Sequence, residues 1–445
     1  MNNRGEFSSR IGFILAAAGS AVGLGNIWGF PSQVAQNGGA AFVLVYLLLA
    51  FLLAYPVLMA ELVIGRATKS NVIDALGEIT QSKIGRYVGV WGAVTASLIL
   101  SFYAIVAGWM MAYFVEAILA LLGDYSVLGW FTDSSISRNW LFCTLFLFFT
   151  ALIVTGGVKQ GIEKWSVRLM PTLVILIVLL IIYVSLQPGA AAGWKAYLLP
   201  DFSIIFDPEL LISAMGQAFF SMSLGVGTML VYGSYIAKKG NLPSLGASVA
   251  LVDIGIAVLA GMLIIPAMYV AQANGVQIFS EGGKLVEGGA LIFSVLPNLF
   301  DSIGFFGGII AIVFFLLMSI AAVTSSISML EVPVSYLVEN RALPRARSVW
   351  LMTSIILLIS SIIIFNFDTL FGLVIALTTE YSQPLLGLLI CIFVGWIWHR
   401  DTVLKELSAG HPDIENSFFG KVWPVYVKFI CPVIIIVMFV RTIWS

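Results

Sequence analysis

The sequence predicts an all-α membrane protein with eleven membrane-spanning helices, the first and sixth broken at mid-membrane. Three observations carry this. Only 22 Lys and Arg and 23 Asp and Glu occur among 445 residues, 60 % of residues are apolar, and mean hydropathy is +1.03. A soluble domain carries roughly 25 % charge. Long apolar stretches recur along the chain, and crossing lipid takes a helix of about 20 residues with every backbone group bonded internally. Two stretches, five spans apart, carry glycine-rich interruptions. This composition excludes a soluble enzyme, a disordered chain and a nucleic-acid binder. A β-barrel would show short alternating segments instead. The net charge of −1 leaves no basic face for polyanions.

The apolar stretches fall near 9–36, 40–65, 88–122, 139–155, 167–187, 210–236, 244–273, 305–338, 347–366, 369–398 and 422–443. The first lacks a small-residue cleavage site and is read as a span, not as a signal peptide. Cys143, Cys391 and Cys431 lie in apolar runs without CxxC spacing; they read as packing residues and set no redox compartment. Basic residues alternate between connections. One side receives Arg4, Arg10, Arg66, Lys69, Lys83, Arg86, Lys159, Lys164, Arg168, Lys238, Lys239, Arg341, Arg345, Arg347, Arg400, Lys405, Lys421 and Lys428. The other receives Arg138, Lys195, Lys284 and Arg441. The positive-inside rule puts the N-terminus in the cytoplasm and the C-terminus outside, as an odd span count requires. The apolar-rich connection 274–304 is expected to pack as an outer lid or re-entrant hairpin, or to lie as an amphipathic surface segment.

Span 1 contains Gly19-Ser20-Ala21-Val22-Gly23-Leu24-Gly25-Asn26, and span 6 contains Ser221-Met222-Ser223-Leu224-Gly225-Val226-Gly227. Each glycine weakens a helix by about 1 kcal/mol relative to alanine. Opened backbone at membrane depth is tolerable only around a polar cavity. A small-residue packing face would keep glycines four apart on one stripe; here Gly23 and Gly25, and Gly225 and Gly227, are two apart. Spans 1–5 and 6–10 then form two repeats of opposite topology, with residues 1–187 as the first, 205–398 as the second, and 399–445 as a loop and helix 11. Matched interruptions in inverted repeats point to a secondary-transporter binding site.

Charges within spans are few and costly unless paired or ion-bound. Asp253 lies in span 7 among Leu251, Val252, Ile254 and Ile256, with nothing basic within a helical turn. A cation is its natural partner; the alternative is a protonated, hydrogen-bonded Asp. Glu61 and Glu331 read as acceptors for opened backbone, and Glu380 is ambiguous. His399 and His411 lie in a loop, so no histidine proton relay has a candidate. Thr324-Ser325-Ser326-Ile327-Ser328 in span 8 offers hydroxyls that can coordinate a hard cation or bond back to their own helix.

With these residues in view, the sequence resembles the neurotransmitter:sodium symporter family, in its bacterial eleven-span amino-acid-transporting branch. The resemblance covers essentially the whole chain. It rests on Ser9-Arg10-Ile11-Gly12-Phe13, Gly19 through Asn26 with Phe30-Pro31, and Asn37-Gly38-Gly39-Ala40-Ala41-Phe42. Glu61 with Gly65-Arg66 and Gly216-Gln217-Ala218-Phe219-Phe220-Ser221 complete it. It implies a leucine-transporter-like fold and Na+-coupled symport by alternating access, with two Na+ sites expected. The first Na+ would be held by Ala21, Asn26, Ser221, Asp253 and the substrate carboxylate. The second would be held by Gly19, Val22, Ala321, Thr324 and Ser325. The substrate would meet Ser20, Ala21, Gly23, Phe220, Ser221 and Ser223 at its charged end, with Tyr103 on its carboxylate and Ser325 nearby. Ile99, Phe220, Val226 and Met329 would line its side-chain pocket. Arg4 and Glu339 match the family's inner ion pair, and Phe7 stands where an N-terminal Trp is common. Half-helix N-termini favour an anion and freed carbonyls favour cations, in agreement with these assignments.

Three departures from the family pattern carry information. Asp253 stands where Asn is frequent, and Ala257 where chloride-independent relatives carry another acid; Asp253 is expected to replace chloride. Gly23 stands where monoamine carriers place an Asp, so the substrate should bring its own carboxylate. Val226 is smaller than the usual Phe, leaving room for a larger apolar or aromatic side chain. Gly29 replaces the Arg of the outer gate, and Asp368 is the nearest acid on span 10, leaving Tyr103 and Phe220 as an aromatic lid.

The leading expectation is therefore a Na+-driven symporter for hydrophobic and aromatic L-amino acids, chloride-independent and multi-pass in the plasma membrane. Its partners are a small-molecule amino acid, sodium ions and the lipid bilayer, with no nucleic acid and no oligomeric state implied. Proton coupling through Asp253 on the same fold is the alternative. A channel would need rings of polar groups. An enzyme would need a nucleophile–base pair or a metal motif, and none is present.

Overall fold

The computed structural model describes residues 5–123, 128–279, 285, 291–303 and 305–444. Among them, nine helices are long and apolar enough to cross a membrane: Ala40–Thr68, Lys83–Leu121, Ile136–Thr155, Val158–Ser185, Leu242–Ala273, Phe305–Asn340, Arg345–Phe365, Phe367–Ile397 and Phe418–Arg441. These are spans 2–5 and 7–11. Span 1 is a bent pair, Arg10–Ala21 and Gly25–Gln36, with axes 56° apart. Span 6 is a pair as well, Pro208–Ser221 and Thr228–Ser234. The chain is thus an eleven-span helical membrane protein with spans 1 and 6 interrupted.

Local chemistry sets the starts of these helices. Ser9 caps span 1 through its side chain to the Gly12 amide at 2.9 Å. Ser82 and Ser135 cap spans 3 and 4 in the same way. Asp207 caps span 6, where Pro208 occupies a first-turn position whose N–H would have no partner. Asn241 caps span 7, again with proline in the first turn.

Several short helices lie outside the apolar stretches. Val72–Thr80 is a short amphipathic helix between spans 2 and 3, and Arg400–Ser408 is another between spans 10 and 11. Span 3 starts at Lys83 and span 5 at Val158, five and nine residues before their apolar cores. Polar first turns are invisible to hydropathy but cap and extend a helix. The three cysteines are buried and free, as packing residues.

Spans 1, 3, 6 and 8 meet at the centre. Backbones also approach directly there: a Cβ at Gly65 of span 2 would overlap the Leu230 carbonyl of span 6. That contact locks the second half of span 6 against span 2.

Candidate functional site

The site is built on the two breaks. Span 1 loses its helix at Val22, which is extended at φ −69 and ψ 109. In span 6, Ser223, Gly225 and Gly227 take φ values of +51, +84 and +79. Three left-handed residues in five cannot continue an α-helix, and two of them are glycines for that reason. The freed backbone groups find side-chain partners. Gly225 N–H donates to Glu61 Oε1 at 2.7 Å. The Leu224 carbonyl accepts from Gln383 Nε2 at 3.1 Å. The Gly25 carbonyl accepts from Gln217 Nε2 at 2.8 Å. The Leu24 amide donates to the Tyr103 hydroxyl at 3.3 Å. Ser223 Oγ donates to the Ser20 carbonyl at 3.3 Å. Such partners are what allow irregular backbone at membrane depth.

The first cluster joins spans 1, 6 and 7. Asn26 Nδ2 donates to Asp253 Oδ1 at 2.7 Å and to Ser221 Oγ at 2.9 Å. Ser221 Oγ donates to Asp253 Oδ2 at 2.8 Å. Tyr46, which sequence reading overlooked, lies 3.3 Å from Ser221 Oγ. Asp253 is fully buried, and it makes no ion pair among the described residues. Ala21 ends the first half of span 1 beside this cluster and faces the central pocket.

The second cluster joins spans 1 and 8. Ser325 Oγ reaches the Val22 carbonyl at 2.9 Å and the Gly19 carbonyl at 3.4 Å. Thr324 Oγ1 reaches Val22 O at 3.4 Å and Ala321 O at 2.9 Å. Three carbonyls and two hydroxyls, all uncharged, converge here. Oxygen-only donors suit a hard cation.

Between the clusters lies a pocket lined by Ala21, Gly23, Leu24, Gly25, Ile99, Tyr103, Phe220, Ser223, Val226, Met329 and Gln383. A Cβ at Gly23 would sit 2.7 Å from the Tyr103 hydroxyl and collide with Ser325 Oγ, so the glycine keeps this end open. Two residues whose backbone carbonyls and amides are expected at the substrate carry hydroxyls that bond elsewhere. Ser20 Oγ donates to Ser328 Oγ at 2.7 Å, and Ser221 Oγ serves Asp253.

At the face carrying the N-terminus, Phe7 packs edge-on against Phe13, Tyr232 and Tyr235, with centroids 5.4, 5.8 and 6.2 Å away. Its amide donates to the Tyr235 carbonyl at 3.1 Å. Arg4 lies outside the described residues; Glu339 Oε2 accepts from both Asn71 N and Nδ2 at 2.9 Å. Glu331 departs from expectation. It does not serve opened backbone. It pairs with Arg345 at 2.5 Å and accepts from the Tyr235 hydroxyl at 2.6 Å. Arg345 sits at the start of span 9, fourteen residues on, and only packing brings it back to span 8. Glu163 was also overlooked: its carboxylate accepts from Ser8 N at 2.8 Å and Ser8 Oγ at 2.6 Å.

On the opposite face a cavity of about 380 Å³ opens above the pocket, bordered by Gly29, Gln217, Phe220, Glu380 and Gln383 among others. Asp368 does not border it. It is exposed in the first turn of span 10, three turns from Glu380, which is the carboxylate that does. In the connection before span 8, Phe293 packs on Trp28, Trp109 and Tyr113. Residues 280–284, 286–290 and 304 of that connection lie outside the described residues.

A family model for the sodium:neurotransmitter symporter family matches residues 4–134 and 131–445. A sodium-dependent transporter of Bacillus subtilis (strain 168) is 34 % identical over 454 residues, covering 98 % of this chain and 97 % of that one. A sodium-dependent transporter of Haemophilus influenzae is 33 % identical, covering 99 % and 98 %. The crystal structure of MhsT in complex with L-phenylalanine superposes with a TM-score of 0.86 at 36 % identity, covering 99 % of this chain and all of that one. The protein is a multi-pass membrane transporter. It belongs to the sodium:neurotransmitter symporter family, a family of transporters and not of enzymes.

Proposed function

We propose that this protein couples inward Na+ flow to uptake of hydrophobic and aromatic L-amino acids, without chloride. The observation that carries the reading is Asp253, a buried carboxylate without an ion pair among the described residues, joined to Asn26 and Ser221 where the two breaks meet. A fixed negative charge in such a place is costly unless a cation neutralises it. With Ala257 four residues further on, one acid supplies the charge that chloride would otherwise bring.

Two Na+ ions are proposed. One uses Ala21, Asn26, Ser221 and Asp253, and the substrate carboxylate completes its shell. The other uses Gly19, Val22, Ala321, Thr324 and Ser325. The substrate's charged end meets Gly23, Tyr103 and Ser223, and its side chain meets Ile99, Phe220, Val226 and Met329. Residues 1–187 and 205–398 act as inverted repeats that move against each other, with 399–445 appended. The N-terminus faces the cytoplasm, the C-terminus faces outward, and Phe7 plugs the inner pathway. The phenylalanine bound to MhsT supports the substrate class.

Isotope uptake into liposomes tests this across a panel of amino acids, with Na+ or choline and chloride or gluconate, at fixed pH. Uptake of Trp, Tyr, Phe or Leu that needs Na+ and survives gluconate is the expected result. Uptake driven by a proton gradient without Na+ would replace the reading with proton coupling through Asp253.

A further inference from the structure

The pocket contains one polar group that the reading above leaves without a task. Gln383 of span 10 is 3 % exposed and lines both the central pocket and the wider cavity above it. Its place is set twice by the break in span 6. Its carbonyl abuts Gly225, where any Cβ would collide, and its Nε2 donates to the Leu224 carbonyl at 3.1 Å. That second bond orients the carboxamide, because the reversed amide would put oxygen against oxygen. Oε1 is then left buried with no hydrogen-bond partner among the described residues. A buried acceptor without a donor is destabilising, and native structures retain few of them.

Apart from Tyr103 and Ser223, assigned above to the charged end of the substrate, the other side chains lining the pocket, Ile99, Phe220, Val226 and Met329 among them, are apolar. A ligand that satisfies Oε1 therefore needs an apolar body that ends in an N–H or O–H. Indole and phenol have that form; a phenyl or aliphatic side chain does not. We propose that Gln383 is a specificity residue that accepts a hydrogen bond from the side chain of the substrate, favouring tryptophan and tyrosine over phenylalanine. The inference rests on the aromatic amino-acid reading of the same pocket. A site that bonds a substrate donor discriminates against the analogue lacking it, because the acceptor is then left unpaired.

The test is competition binding to the purified full chain in Na+, for wild type and Gln383→Met. The ligand pairs are tyrosine against phenylalanine and tryptophan against 1-methyltryptophan. Wild type is expected to prefer the donor-bearing member of each pair by about three- to tenfold. In Gln383→Met both ratios should fall toward one, beside a common fall in affinity from the Leu224 carbonyl losing its donor. Ratios that survive the substitution, with or without that common fall, would overturn the proposal and leave Gln383 as a support for span 6 alone. A wild type that separates neither pair overturns it whether or not the variant folds. A wild type that binds Na+ and aliphatic amino acids but none of the four aromatic ligands fails the substrate class itself, and this inference with it.

Discussion

Asn26 and Asp253, 227 residues apart in the chain, meet side chain to side chain at 2.7 Å. The contact joins the break in span 1 to an unbroken span 7, and Ser221 closes the triangle from the break in span 6, 2.8 Å from the other carboxylate oxygen. One buried acid therefore touches both opened helices. A cation bound there would feel movement of either.

Asp253→Asn keeps the shape of the side chain and removes its charge. The half-saturating Na+ concentration for substrate binding should rise at least tenfold, about 1.4 kcal/mol or more. Wild-type uptake should be indifferent to chloride, and any activity left in the variant should depend on it. Thermal unfolding without Na+ should change little, since the amide oxygen can still accept from Asn26 and the new NH2 can donate to Ser221 Oγ, reversing that bond. Full Na+ affinity in the variant would argue that Asp253 is not a cation ligand.

Ser325→Ala removes one of the hydroxyls that reach the Val22 carbonyl. An interaction with a charged partner is worth about 1.5–3 kcal/mol. The apparent Na+ affinity should weaken by roughly tenfold or more, and the Na+ dependence of uptake should lose steepness toward a Hill coefficient of one. Unchanged steepness would remove the second site.

Glu61→Ala leaves the Gly225 amide buried without its 2.7 Å acceptor. A loss of about 1–3 kcal/mol in stability is expected, read as a lower melting temperature in detergent. Glu61→Gln, which retains an acceptor, should recover much of it. Equal losses in both variants would mean that the charge, not the acceptor, is what the break needs.

Gly225→Ala puts a Cβ at φ +84 against the Gln383 carbonyl. Strain of this kind costs on the order of 1–3 kcal/mol. Substrate binding should fall more steeply than Na+ binding at the span 1 and span 8 cluster, measured by Na+-dependent protection of engineered cysteines.

Tyr235→Phe removes the hydroxyl that donates to Glu331 at 2.6 Å while leaving the ring against Phe7. One charged hydrogen bond between spans 6 and 8 is lost. The population open toward the N-terminal face should increase roughly ten- to a hundredfold, from the about 1.5–3 kcal/mol such a bond contributes. Faster labelling of a cysteine placed along that pathway would be the readout. Unchanged labelling would make the Glu331 and Arg345 pair sufficient by itself.

Much of the site can be read from residue order because the breaks are local. Gly23, Gly25, Gly225 and Gly227 announce themselves, and Asp253 stands out as a charge without a nearby partner. The hydroxyls of the second cluster stand out in one turn of span 8, while the carbonyls that face them come from the family resemblance. Harder to read are groups whose role depends on which helix lies opposite. Glu331 looks like Glu61 in sequence, yet one serves the Gly225 amide and the other pairs with Arg345. Asp368 is the acid nearest the expected gate position, yet Glu380 borders the cavity. Two π-type distortions, Ala376–Ser382 and Phe393–Ile397, shift the register of span 10, and hydropathy does not record them.

By itself the sequence determined that this chain lies in a membrane, how many times it crosses, and where two crossings open. Lipid offers no hydrogen bonds, so apolar length and glycine content decide those matters locally. Only the tertiary structure decided which polar groups satisfy each other across spans and which is left over. Gln383 is that remainder at the pocket: its amide nitrogen is bound to Leu224, and its oxygen has no partner among the described residues. Hydrogen bonding acts over about 3 Å, and which groups come that close is a property of packed helices, not of residue order.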